Sequence, residues 1–270
     1  MNRTQLLDLV GNVPVVSTAL RWYAHQFRDG SVVTIRHGYA AGYRWKRYHR
    51  YVNGYWIGHY ELRIQDALRR HLRSGETFFD VGANAGFFML VAAKLVGPDG
   101  RCIAFDPSPE NHASVVEQLT LNRLSNCQAA CTAIGPHDGT AVFSAEFPGA
   151  STGHLGGSAI GERQSEVSVT TLDTACEQYA VPDFIKIDIE GAEVDALRGA
   201  QRLLAETRPT WLIELHGAEC TRGAEQILRG AGYGFYGVDG RRLGKSGSLP
   251  RHIVAIHPQR PRGATESEVS

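Results

Sequence analysis

Carboxylates stand at four strand ends, where an α/β chain keeps its ligands. In "FFDVGANAGFF", residues 78 to 88, apolar Phe78 and Phe79 lead into Asp80, and the chain turns through Gly82, Asn84 and Gly86. It then enters "FFMLVAAKLV", which holds neither glycine nor proline. Strand, tight turn and helix start is the arrangement that brings backbone up to a cofactor. Further on, "RCIAFDP" reaches Asp106, "IKIDIEGAE" carries Lys186, Asp188, Glu190 and Glu193, and "WLIELHG" closes with Glu214 and His216.

The turn says which cofactor. A dinucleotide site uses G-x-G-x-x-G, whose second glycine lets backbone approach a pyrophosphate. Here Gly82 and Gly86 are spaced G-x-x-x-G, with Ala83 and Asn84 where that middle glycine would fall. A nicotinamide-dependent dehydrogenase is disfavoured accordingly. Asp80 is placed to face the ligand, where a carboxylate repels a pyrophosphate and suits an ammonium. S-adenosylmethionine offers that ammonium, together with a carboxylate, a ribose and an adenine, and carries no phosphate. Asn84 tolerates a positive φ and can donate to the cofactor carboxylate. Asp106, 20 residues after Gly86, can accept from both ribose hydroxyls. A ribose acceptor alone fits either cofactor; with the acidic turn it favours S-adenosylmethionine. Ala133 and Ile134, at the end of the third strand, suit an adenine edge or the core.

Methyl transfer requires alignment of nucleophile, methyl carbon and sulfur, plus a group to take the proton of an alcohol. His216 is the preferred base, with Asp188, which is also assigned to the cofactor, the carboxylate alternative and Glu214 beside them. A histidine that caps a strand through hydrogen bonds is the competing reading for His216. Glu190 and His154 are assigned to the substrate, and Glu193 reads as a helix N-terminal carboxylate favoured by the dipole. Asp188, Glu214 and His216 could hold a hard divalent cation, but nothing in their spacing demands one, so no metal ligand is assigned.

These residues need a scaffold. The 270-residue chain is 43% hydrophobic and 21% charged, with 28 Lys plus Arg against 28 Asp plus Glu, so no global field draws nucleic acid. From residue 76 strands alternate with helices, which predicts a doubly wound, mostly parallel sheet. Two further strands, "GTAVFSAEF" and "VSVTTLD", follow the third, joined by a glycine-rich loop over 149–161. A C-terminal antiparallel pair, "YGFYGVDG" and "HIVAIHP", ends the domain. The expected organisation is an N-terminal helix and hairpin cap over 1–60, a catalytic domain over 61–258 and a disordered tail over 259–270. In the cap, "YRWKRYHRY" reads as a hairpin with one apolar and one solvated face, signalled by Asn53-Gly54. The aromatic cap also offers a surface for a homodimer. Asp8 and Pro14 break the N-terminal apolar stretch, so neither a membrane span nor a signal peptide is expected. Five scattered cysteines without a C-x-x-C pair read as reduced thiols in the cytoplasm.

"FFDVGANAGFF", "AFDPSPEN", "IKIDIEGAE" and "LIELHG", in this order and preceded by "GHYE", resemble the FkbM family of S-adenosylmethionine-dependent methyltransferases over residues 57 to 217. The resemblance implies a class I Rossmann-like methyltransferase fold. It also implies O-methylation of a hydroxyl on a sugar, glycolipid or polyketide-type natural product, and a contact of Glu61 with the cofactor's amino group. Read without it, Glu61 is a helix-start carboxylate. An RNA methyltransferase would want a basic face or an added RNA-binding module, and neither is evident. An N-methyltransferase of adenine or glutamine would want Asn/Asp-Pro-Pro-aromatic where this chain has "DIEGAE". A non-catalytic cofactor-binding partner protein would keep the same turn without turnover.

Overall fold

The computed structural model describes residues 27–51, 54–146, 153–156, 163–244 and 248–260. The helix expected near the N-terminus, Asn53, most of the 149–161 loop and the tail from 261 lie outside the described residues.

The cap opens with a hairpin of β1 (Val32–Thr34) and β2 (Arg44–Lys46). On β2, Trp45 is buried while Arg44 is exposed, the alternation a half-buried strand requires. Its turn falls within 35–43 rather than at Asn53-Gly54. Gly54, at φ 66°, instead starts a single 3-10 turn over Tyr55–Ile57. The cations of the basic-aromatic run fold back onto the cap: Arg47 lies over Phe27 and Trp56, and Arg50 over Tyr48 and Tyr51. Helix α1 (Leu62–His71) follows, burying Ile64 and Leu68 on one face.

Then come β3 (Thr77–Val81), α2 (Phe87–Val96), β4 (Arg101–Phe105), α3 (Pro109–Asn122) and β5 (Cys127–Ala130). Helix α3 is started by Ser108, whose hydroxyl accepts from Asn111 N, and by Pro109 in the first turn. A second, four-stranded sheet is built from β6 (Ala133–Ile134), β7 (Gly139–Ala145), β8 (His154–Leu155) and β9 (Arg163–Thr170), in the order β6-β9-β7-β8. The chain returns through α4 (Leu172–Gln178), β10 (Phe184–Ile187), α5 (Glu193–Arg198), β11 (Thr210–Glu214), α6 (Gly217–Gly230), β12 (Gly234–Gly237) and β13 (His252–Ile256).

The main sheet has seven strands in the order β12-β13-β11-β10-β3-β4-β5. Its β11, β10, β3, β4 and β5 are parallel, while β13 runs antiparallel to both β11 and β12. Both faces are covered, so β3 reads as an apolar run whose neighbours point opposite ways. Phe78 packs in one core with α1, α2 and the cap, and Phe79 in the other with α4, α5 and α6. Helix α2 is apolar all round because the cap covers it, with Trp45 and Tyr55 both against Phe87.

One segment differs from expectation. "NCQAACTAIG" is two strands, broken at Cys131 and Thr132, so β5 stays in the main sheet and β6 joins the smaller one. Cys131, at the break, is exposed. Among the described residues no helix is long and apolar enough to cross a membrane.

Candidate active site

The carboxyl ends of β3, β4, β10 and β11 open into one pocket, roofed by the cap and by β8. The turn after β3 forms its floor. Gly82 has φ 80°, and a Cβ there would overlap the backbone carbonyl oxygen of Asp188, so the close approach admits only glycine. Asn84 is left-handed at φ 48°, with its own side-chain oxygen accepting from Ala85 N at 2.7 Å. Gly86 packs its α-carbon against α3, where a Cβ would stand 3.2 Å from Val115 Cγ2.

Asp106 faces this turn. Its Oδ2 accepts from Asn84 N at 2.8 Å, and its Oδ1 from Ser108 N at 3.0 Å and Asn111 Nδ2 at 3.1 Å. A carboxylate has about four acceptor positions, so roughly one remains for a ligand. Burial raises the Asp106 pKa to about 6 against these bonds. Next to it Phe105, Pro107, Ala133, Ile134, Phe143 and Leu155 give the pocket an apolar end.

The opposite end is acidic: Glu61, Asp188, Glu190 and Glu214 line it, with Arg251. Glu61, Asn84 and Glu190 are three of the five non-glycine residues with positive φ among those described, so strained backbone concentrates at this pocket. Burial, then the Asp188 charge, raises the Glu61 pKa. Beneath them Lys186 is buried with Nζ 3.4 Å from Asp80 Oδ1 and 3.6 Å from Asp188 Oδ2. Burial opposes its charge, but Asp80 and then Asp188 outweigh it and raise its pKa. Glu214 accepts from His252 at 2.9 Å and pairs with Arg251. Burial would raise its pKa, yet His252, Arg251 and His216 lower it to about 2.

His216 stands directly after β11, one layer behind the pocket wall. Its Nδ1 lies 2.8 Å from Glu193 Oε1, and Glu193 is fully buried at the start of α5. The ring's other nitrogen lies 3.4 Å from Glu190 Oε2 and 3.5 Å from Glu214 Oε1. Burial lowers the His216 pKa, but the bond to Glu193 and its charge, then Glu190 and Glu214, raise it overall. The Asp188–Glu214–His216 and Glu61–Glu214–His252 groups each bring three ligand atoms, two carboxylate oxygens and an imidazole nitrogen, within 4.8 Å of one another. In both, Glu214 is already engaged by Arg251 and His252, and in the first Asp188 is paired with Lys186.

Residues 80–235 match the family model of the methyltransferase FkbM domain. The chain belongs to the FkbM methyltransferase family. It is similar to an arsenite methyltransferase of Halobacterium salinarum, 39% identical over 61 residues covering 23% of this chain and 16% of that protein. It is also similar to Methyltransferase 1 of Beauveria bassiana, 26% identical over 141 residues covering 44% and 56%. In each case the chain spans less than two thirds of the relative's length. Among solved structures, a methyltransferase FkbM from Methylobacillus flagellatus KT is similar, with 16% identity, TM-score 0.46, and coverage of 92% of this chain and 61% of that one. The strand order, with its antiparallel β13, is that of a class I Rossmann-like methyltransferase.

The expected site residues of this FkbM-family chain separate into two groups. Glu61, Gly82, Asn84, Asp106, Ala133, His154, Asp188, Glu190 and Glu214 all line the pocket. Asp80, Gly86 and His216 do not. Asp80 was expected to face an ammonium of the ligand; it is fully buried, and the cation it faces is Lys186. Gly86 serves helix packing. Glu193 is more than a helix N-terminal carboxylate: besides accepting from Gly191 N at 3.0 Å it holds His216 and accepts from Cys220 Sγ at 2.8 Å. Sequence reasoning also passed over Tyr55, Tyr60, Asn111, Phe143 and Arg251 on the pocket wall. Asn111 alone carried a local signal, in the first turn of the helix that follows Asp106.

Proposed function

We propose that this FkbM-family chain is an S-adenosylmethionine-dependent O-methyltransferase acting on a hydroxyl of a sugar, glycolipid or polyketide-type natural product. The observation that carries the cofactor assignment is the charge of the pocket. Five carboxylates line it, Glu61, Asp106, Asp188, Glu190 and Glu214, and its one permanently cationic side chain, Arg251, is engaged by Glu214. A pyrophosphate would meet repulsion throughout. An adenosine with a cationic amino-acid tail fits: apolar walls at one end, a carboxylate with one acceptor position left in the middle, and acidic groups at the other end.

S-adenosylmethionine would supply a methyl group bound to a cationic sulfur. Pro107, Ala133 and Phe143 would hold its adenine, Asp106 a ribose hydroxyl, and Glu61 its ammonium. An ammonium beside Glu61 would counter the burial and the Asp188 charge that raise its pKa. Lys186 keeps Asp80 and Asp188 from repelling each other across the floor. At the acidic end Glu190 and Glu214 both line the wall beside His216, and because Glu214 is engaged by Arg251 and His252, Glu190 would be the one to meet an acceptor hydroxyl. The hydroxyl proton would pass to Glu190 and on to the His216 ring nitrogen 3.4 Å away, while Glu193 fixes the ring and stabilises its protonated form.

Calorimetric titration of the purified protein with S-adenosylmethionine and with NAD tests the assignment, alongside Asp106→Ala. Binding of the first alone, lost in the variant, is expected. Binding of NAD alone would overturn it. Transfer of a labelled methyl group to a panel of hydroxylated sugars and polyketides then tests the acceptor class.

A further inference from the structure

Both oxygens of Asp106 are tied, through one intermediate residue each, to the cap, which lies outside the matched domain. On one side Tyr51 hydroxyl donates to Asn111 Oδ1 at 2.7 Å, and the same amide donates Nδ2 to Asp106 Oδ1 at 3.1 Å. Asn111 is 2% exposed, so its carbonyl would find no water in place of that hydroxyl. On the other side Tyr55 hydroxyl lies 3.4 Å from the side-chain oxygen of Asn84, whose backbone N–H donates to Asp106 Oδ2 at 2.8 Å. The Tyr51 path is the tighter one.

The cap that carries Tyr51 is held against the helix that carries Asn111. Gln118 and Asn122, one turn apart on α3, act as a strand partner for β2. Gln118 accepts from Lys46 N and donates to Lys46 O, both at 3.0 Å. Asn122 accepts from Arg44 N at 2.7 Å and donates to Arg44 O at 2.8 Å. Four bonds of fixed geometry thus hold β2, which precedes Tyr51 by five residues, against the helix that carries Asn111.

We propose that Tyr51 is a positioning residue for the ligand-binding carboxylate Asp106, acting through the side-chain amide of Asn111. An amide has one donating and one accepting end. With Tyr51 donating to the oxygen, the nitrogen is committed to Asp106. Turned over, the amide would put its oxygen against the carboxylate and displace it from the pocket. The role of Asp106 toward S-adenosylmethionine rests on the function proposed above, but the Tyr51–Asn111–Asp106 relay exists without ligand and is measurable without it.

The test uses full-length protein and three variants: Tyr51→Phe, Asn111→Ala, and their double. Tyr48→Phe, whose hydroxyl goes to Glu117 on the outer part of α3, is the control. Carbon-13 NMR follows the Asp106 carboxyl titration in ligand-free protein, and calorimetry gives the affinity for S-adenosylmethionine at pH 7. The other ionisable groups near Asp106, Asp80 and Cys131, are unchanged in all variants. Tyr51→Phe is expected to raise the Asp106 pKa by about half a unit or more, since a bond to the charged form is weakened. It should weaken binding about 3- to 10-fold, the range of one hydrogen bond. In the Asn111→Ala background the same substitution should add nothing. Unchanged titration and affinity in Tyr51→Phe, or an undiminished effect without Asn111, would overturn the relay. Should the parent protein not bind S-adenosylmethionine, the function reading falls, and the titration still decides the relay.

Discussion

The His216–Glu193 contact decides what the histidine can do. Bonded to a fully buried carboxylate, the ring holds one orientation, with its second nitrogen toward Glu190 and Glu214. It can take a proton only when neutral. Because Glu193, Glu190 and Glu214 raise its pKa above the ordinary 6.5, kcat/KM should climb with pH along a limb lying above that value. Glu193→Gln removes the largest of those attractions, so the limb should move to lower pH while kcat falls about tenfold or more. A pH–rate profile of both proteins checks this, and an unmoved limb would remove His216 from the proton path. The same side chains bear on the metal question through their pairing. Glu214 is held by Arg251 and His252, and Asp188 by Lys186, so a cation would have to displace these partners. Methyl transfer should survive dialysis against EDTA. Loss of activity restored by magnesium or manganese would show that a cation displaces Arg251.

At the scale of elements, the turn after β3 is the part the packing constrains most. Gly82 has positive φ and no room for a Cβ against the Asp188 carbonyl, so it locks the β3 turn to the end of β10. Gly82→Ala is expected to cost about 2–4 kcal/mol by urea unfolding, combining backbone strain with a steric overlap. A cost within about 0.5 kcal/mol, that of an unconstrained surface position, would mean the turn can move away. This turn was legible in the sequence because its requirements are local: an apolar strand, a left-handed glycine, a left-handed asparagine, then a helix. So was Asp106, at the end of the next strand. What the sequence concealed are pairings across the fold. Asp80 looked available to a ligand because nothing local shows Lys186 on the adjacent strand reaching back to it. Glu193 looked like a helix-start carboxylate because His216 arrives from another strand end. The break between β5 and β6 was hidden since both halves are apolar and either sheet could have claimed them.

The whole molecule shows why a pocket of this kind needs more than its central sheet. The floor comes from β3, β4, β10 and β11, one wall from cap residues Tyr55, Tyr60 and Glu61, and another from Phe143 with Gly153 to Leu155 of the small sheet. The tip of the Phe143 ring points at Gly153, where a Cβ would overlap its Cζ, so β7 packs against the residue that leads into β8 at the apolar end. The cap reaches the site by sharing a core with α2, where Tyr55 stacks on Phe87 at 5.4 Å. A ligand filling the pocket would touch all three units. Binding should therefore slow amide exchange together in 54–60, 80–86 and 153–156, because local opening of any unit would then require releasing the ligand. Hydrogen exchange with and without saturating S-adenosylmethionine measures this directly. Protection confined to 80–111 would mean that the cap and small sheet only neighbour the cofactor, and that their residues on the wall face the acceptor instead.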